Sequence, residues 1–323
     1  RASPWRDLLP NGLSSVAGWD ADFDGGVDYV YAGDLDGNMW KFLLTGATKS
    51  STAAMKVAFS GAPLLQIVNS DPDPDGFTLF IPITGTPVVA VHPEGGQMVY
   101  FGNGIALDAS HESVVGDRGV FAIRDDKPSG DTYNPPYGIY PAAPFTLTTH
   151  TTGNGGTGNV LRGIKSTVES SHNVGWVLEL PEREQAITDL SVSSRRLNVM
   201  SVESIVDVNN FNWLHTLDYL TGGAPESPVF DANLDDDIDA DDVISIAGGP
   251  SNVVPIGGAV GKAVASAPRI VTSSNGNDVF ILTLAIEVRN EFNNPFVDPG
   301  LSGGHIDVDE YYNPVKPLTL GNI

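Results

Sequence analysis

Residues Val27 to Phe42, V-D-Y-V-Y-A-G-D-L-D-G-N-M-W-K-F, constrain the fold of this chain most. β-Branched and aromatic residues alternate on both sides of a D-G-N turn, and a period of two around a tight turn predicts a β-hairpin. The same grammar returns at Gln97 to Asn103, Gly119 to Arg124, Gly175 to Leu180 and Asp278 to Ile286, giving short strands separated by long polar loops. With 36 glycines and 23 prolines among 323 residues, turn formers favour many short strands over long helices. The expected class is therefore all-β, as one large unit or two domains. Helical signals are confined to 182–190 and 240–247. Thr146 to Gly158, rich in Gly and Thr, reads as an exposed, mobile loop.

Immediately before the hairpin stands Asp20-Ala-Asp22-Phe-Asp24-Gly25-Gly26-Val-Asp28, a D-x-D-x-D-G-x-x-D run. Side-chain oxygens at positions one, three and five, the Gly26 carbonyl at seven and the Asp28 carboxylate at nine can surround a hard cation. Gly25 allows the sharp turn that folds those oxygens inward. Calcium accepts about six to eight oxygens in flexible geometry, whereas magnesium keeps more water, so this density of carboxylates predicts Ca2+. An EF-hand would continue into a helix; here a strand follows, as in propeller or integrin-like calcium loops.

A second run offers Asp231, Asn233, Asp235, Asp239 and Asp242 at positions one, three, five, nine and twelve, with the Asp237 carbonyl at seven. It is similar to a dockerin or EF-hand loop. Asp236 stands where glycine is usual and Asp242 where a bidentate glutamate is usual, which weakens affinity without abolishing the site. Asp71, Asp73 and Asp75 form a shorter run with Leu79 at the ninth position, read as a solvated turn.

The remaining composition narrows the function. Asp and Glu total 40 against 17 Lys and Arg, a net charge of -23, so the chain repels nucleic-acid phosphates and anionic membrane surfaces and attracts cations. There is no cysteine, hence no disulfide, thiolate zinc site or thiol nucleophile, and calcium is the available crosslinker. No apolar run reaches the roughly 18 residues of a membrane span. The first residue is Arg1 rather than a methionine, as in a processed or truncated piece. The six histidines lack H-x-x-x-H or H-E-x-x-H spacing, and no G-x-S-x-G elbow precedes a helix, so no enzyme is predicted. The last catalytic candidate is one strand face carrying His305, Asp307 and Asp309, for which a polar strand edge is the simpler account.

A loosely recurring G-x-x-W/F element suggests three or four propeller blades with insertions, fewer than a closed ring of about four to eight needs. These features together resemble the C-terminal region of the PilY/PilC-type family of type IV pilus biogenesis and tip-adhesin proteins. The resemblance rests on Asp20 to Phe42, Met98 to Ile105, G-W-V-L-E-L-P-E-R-E at Gly175 to Glu184, and V-F-D-A-N-L-D-D-D-I-D at Val229 to Asp239. It implies that residues 1–323 form the C-terminal portion of a β-propeller of the quinoprotein-dehydrogenase-like superfold, with insertions around 140–160 and 225–250. It further implies regulatory calcium at Asp20, Asp22, Asp24, Gly26 and Asp28, control of pilus extension and retraction, and surface adhesion. The implied partners are minor pilins or the pilus tip and an N-terminal part of the same precursor, outside the cell after export through the periplasm. No R-G-D occurs. Two alternatives are a quinoprotein-like dehydrogenase, on the strength of A-G-D-L-D-G-N-M-W-K-F, and a dockerin-like calcium-dependent cell-surface module.

Overall fold

The computed structural model describes residues 11–44, 55–67, 81–104, 118–126, 137–139, 147–155, 160–169, 174–181, 184–203, 212–235 and 237–261, and strand segments within 264–285. The Asp71 to Asp75 run and the His305, Asp307, Asp309 face lie outside the described residues. With strands numbered in chain order, a six-stranded sheet holds β1 (Leu13–Trp19), β2 (Tyr29–Asp34), β3 (Asn38–Leu43), β4 (Lys56–Val57), β5 (Leu65–Ile67) and β9 (Tyr137–Ile139). A ten-stranded sheet runs in the order β13 (Ser191–Ser193), β14 (Arg196–Val202), β15 (Asn212–Asp218), β16 (Gly257–Gly261), β11 (Leu161–Val168), β10 (Thr148–Gly155), β12 (Gly175–Glu179), β8 (Gly119–Asp125), β7 (Gln97–Gly102) and β6 (Val88–Val91). Two short pairs, β17 (Val264–Ala265) with β20 (Leu284–Ala285) and β18 (Arg269–Thr272) with β19 (Asp278–Ile281), complete the strands among the described residues.

The class is all-β, as expected, and the Val27 to Phe42 segment forms the predicted hairpin, with Tyr29 opposite Leu43 and Gly33 opposite Met39. Its turn is built on the buried Asp34 carboxylate. That group accepts hydrogen bonds from the Asp36 and Asn38 amides at 2.9 and 2.8 Å, Asn38 Nδ2 at 2.8 Å and Trp40 Nε1 at 2.7 Å. Gly37 supplies the positive φ of 75° that closes the turn. Gly33 has a different reason: a Cβ there would stand 2.4 Å from Ile83 Cγ2.

Two expectations are corrected. Thr148 to Gly155 is not a loop but a strand in the middle of the larger sheet, antiparallel to β11 and parallel to β12. Neither 182–190 nor 240–247 holds a helix among the described residues; Gln185 bridges Val202 and Ile244 bridges Val253 instead. Apolar side chains there are drawn into sheet contacts that local propensity does not register. The strands β6–β8 and β10–β16 are hydrogen-bonded into one continuous sheet.

Alternation divides the core between the two faces of that sheet. Val99, Phe101, Phe121, Ile123 and Val177 pack against Tyr31, Met39, Leu65 and Ile67 of the smaller sheet. Met98, Tyr100, Val120, Ala122, Trp176 and Leu178 face the opposite side, towards Leu197, Val199 and Leu217. β7 is buried on both faces, which is why it reads as a nearly unbroken apolar run. A third cluster joins Leu161, Met200 and Leu214 to Val229, Phe230, Ile244 and Ile246, and so pins both ends of the second acidic loop.

Candidate metal centre

The first acidic loop joins β1 to β2, and its base is closed by the Asp28 amide donating to the Trp19 carbonyl at 2.9 Å. Within it the carboxylates organise the backbone. Asp20 accepts from the Asp24 and Gly25 amides at 3.2 and 2.7 Å, Asp22 from Asp24 at 3.1 Å, Asp24 from Gly26 at 2.7 Å, and Asp28 from Ala21 at 2.8 Å. These bonds hold Phe23 at φ 62° and Gly25 at φ 90°, left-handed conformations that wind the chain into a ring. A Cβ at Gly26 would press on Asp24 Oδ1 at 2.9 Å.

Asp20, Asp22 and Asp28 each present a carboxylate oxygen within 4.8 Å of the others. Three like charges at that separation repel unless a cation sits between them. Among the described residues no lysine, arginine or histidine forms an ion pair with this trio. An oxygen-only donor set of this charge fits a hard divalent ion such as calcium. Asp24, whose Oδ1 accepts from the Gly26 amide, stands outside the converging trio.

The second loop is arranged differently. Asp231 accepts from the Leu234 amide at 2.6 Å, Asn233 from Asp235 at 3.0 Å, Asp235 from Asp237 at 3.0 Å and Asp239 from Asp241 at 2.8 Å. The buried Asp242 accepts from the amides of Ala232 at 2.6 Å, Asn233 at 3.3 Å and Asp239 at 2.9 Å. Its carboxylate thus pins the two arms of the loop together. Asp231, Asp235 and Asp239 do not form a converging group like that of Asp20, Asp22 and Asp28. The chain leaves the loop in extended form, with the Ile244 amide bonded to the Val253 carbonyl at 2.9 Å, rather than along an EF-hand or dockerin helix.

Sequence reasoning missed a buried polar cluster beneath β14 and β15. Arg162 pairs with Glu184, which also bonds Ser201 Oγ and His215 Nε2, the latter at 3.1 Å. Ser201 Oγ lies 2.9 Å from the same His215 nitrogen. Burial raises the Glu184 carboxyl, but His215, Arg162 and Ser201 outweigh it and hold the group below the ordinary glutamate value. The three residue types are those of a hydrolase triad, yet one imidazole nitrogen serves both partners and all three side chains are sealed from water. Through Glu184 the cluster ties Arg162 of β11 to Ser201 of β14 and His215 of β15. Only Glu184, at the end of the G-W-V-L-E-L-P-E-R-E motif, carried a signal in the sequence.

No helix among the described residues is long and apolar enough to cross a membrane. Residues 5–135 match the family model described as the PilY1 beta-propeller domain. Over 224 residues, 66% of this chain and 14% of the relative, the sequence is 32% identical to a type IV pilus biogenesis factor PilY1 homolog from Xylella fastidiosa. Over 267 residues it is 27% identical to the type IV pilus biogenesis factor PilY1 of Pseudomonas aeruginosa strain UCBPP-PA14, covering 69% of this chain and 22% of that protein. The chain therefore corresponds to about a fifth or less of these relatives. The crystal structure of the Pseudomonas aeruginosa PilY1 C-terminal domain shares the fold, with a TM-score of 0.66 and 23% identity over 86% of this chain and 62% of that one.

Proposed function

This chain is a PilY1-type region of the C-terminal, β-propeller kind, and on that premise we propose that it serves type IV pilus biogenesis as a calcium-binding, non-enzymatic component at the cell surface. The observation that carries the calcium reading is the convergence of Asp20, Asp22 and Asp28 within 4.8 Å at the mouth of a hairpin. Asp24 and the Gly26 carbonyl would complete the shell after a small rearrangement of the Asp24 side chain. Asp231, Asn233, Asp235, the Asp237 carbonyl and Asp239 would form a second site, with Asp242 acting as its brace. Pilus biogenesis follows from the names of the relatives. Adhesion and the balance of extension against retraction would be exercised through calcium-dependent order in the first loop, acting on minor pilins at the pilus tip.

The test is calcium titration by calorimetry of the chain and of an Asp20→Ala, Asp22→Ala double variant. Saturable binding that loses one site in the variant supports the reading. Undiminished stoichiometry and affinity in the variant would place calcium elsewhere and remove the carrying observation. In cells, the same variant should alter twitching or surface pilus number without lowering the amount of the protein.

A further inference from the structure

Beside the first acidic loop lies a cleft of about 450 Å3, between the β1–β2 loop and the β6–β7 turn. We propose that this cleft receives a basic side chain, lysine or arginine, presented by a protein partner. The inference is independent of whether the loop holds calcium.

Its walls are apolar and aromatic. Trp19, Phe23, Tyr29 and Val91 line it, and Trp19 meets Phe23 edge to face at 6.2 Å. Phe23 is 72% exposed and Val91 49%, so large apolar groups are held in water at the rim. Phe23 is also held at φ 62°, a conformation that costs an L-residue about 1 kcal/mol or more and persists only where its surroundings enforce it. The enforcement is visible: the next amide, that of Asp24, is bonded to both Asp20 and Asp22. The loop thus holds an aromatic ring outward, over a cleft, at a conformational cost.

Three of the four charged lining residues are acidic. Glu94, Asp125 and Asp126 face a single guanidinium, that of Arg124. Arg124 is occupied by the Glu94 carboxylate at 3.1 Å and by the carbonyls of Glu94 and Gly95 at 3.0 and 3.3 Å, so it ties down the turn. Lys41, beneath the floor, is paired with Asp125 at 2.6 Å.

A purely apolar ligand would waste the carboxylates, and an acidic one would be repelled. A lysine or arginine satisfies both halves. Its methylene stem packs on Trp19, Phe23 and Val91, while its charged head stays near carboxylates and a ring face.

The test uses the 15N-labelled chain, with the Trp19 indole N–H assigned from a Trp19→Phe variant. It is titrated with acetyl-Gly-Lys-Gly-amide and its Arg, Leu and Glu analogues, with and without added calcium. A saturable shift of the Trp19 signal at millimolar Lys or Arg peptide is expected, with Leu weaker and Glu silent. Phe23→Ser and Asp126→Asn, both on the surface of the cleft, should each weaken binding about two- to fivefold. Absence of a saturable shift with either basic peptide overturns the proposal. So does equal binding of the Leu peptide, which would mean an apolar site, or unchanged affinity in both variants, which would mean binding elsewhere on an acidic surface.

Discussion

Lys41 Nζ and Asp125 Oδ2 stand 2.6 Å apart with both side chains removed from water, and the contact joins β3 of the smaller sheet to β8 of the larger. Tyr31 Oη and Gln97 Nε2 donate to the same oxygen at 2.5 and 2.9 Å, and the Lys41 ammonium sits 4.1 Å from the centre of the Tyr29 ring. Burial lowers the Lys41 pKa and Asp125 works against that shift. A buried pair of this kind is balanced between desolvation and attraction, so its removal as a unit is cheap and its rupture is not. Asp125→Ala should cost about 3–5 kcal/mol in urea denaturation, while Lys41→Met with Asp125→Leu should recover most of the loss. Equal stability of the single and double variants would show that the charge pair is not what couples the sheets.

The Asp34 carboxylate gathers four donors from its own turn and from Trp40, all of which lose their acceptor together if it is removed. Unsatisfied buried donors cost about 1–3 kcal/mol each before relaxation. Asp34→Ala is therefore expected to lower stability by about 3 kcal/mol or more and to speed amide exchange at Asn38. Wild-type exchange there in the variant would mean that the turn closes without it.

Acid should weaken the fold through Glu184. Its carboxyl titrates below the ordinary glutamate value in the folded chain, so between the two values the unfolded state binds more protons. Stability is then fully present above the unfolded pKa, near 4.5, and is lost as pH falls towards the folded pKa. Urea midpoints measured from pH 6 down to pH 3, values chosen to span roughly that window, should fall more steeply for the wild type than for Glu184→Gln. Parallel profiles would count against the assignment.

The hairpin at Val27 to Phe42 was legible because every rule agrees there: alternation, a D-G turn, and an aspartate whose oxygens satisfy the turn amides. The first acidic loop was legible for the same reason, since spacing alone brings Asp20, Asp22 and Asp28 together. β10 was hidden because Thr148 to Gly155 has almost no apolar face; neighbouring strands on both sides supply its stability. Lys41 and Asp125, 84 positions apart in the chain, look like ordinary solvated charges until the two sheets pack. The bracing contacts of Asp242 were hidden, because a carboxylate at position twelve suggests a ligand and no spacing rule reveals its bonds to three backbone amides.

That last distinction is measurable. Asp242 holds Ala232, Asn233 and Asp239 through bonds that exist without metal, so Asp242→Ala should lower the melting temperature equally in calcium and in chelator, by the equivalent of roughly 3 kcal/mol. Asp22 is exposed, and its one amide acceptor bond, to Asp24, duplicates that of Asp20. Asp22→Ala should therefore leave the melting temperature in chelator almost unchanged. It should remove instead the increment that calcium adds, about 2.7 kcal/mol for a ligand at a hundred times its dissociation constant. A calcium increment that survives in Asp22→Ala and disappears in Asp242→Ala would reverse the roles of the two loops.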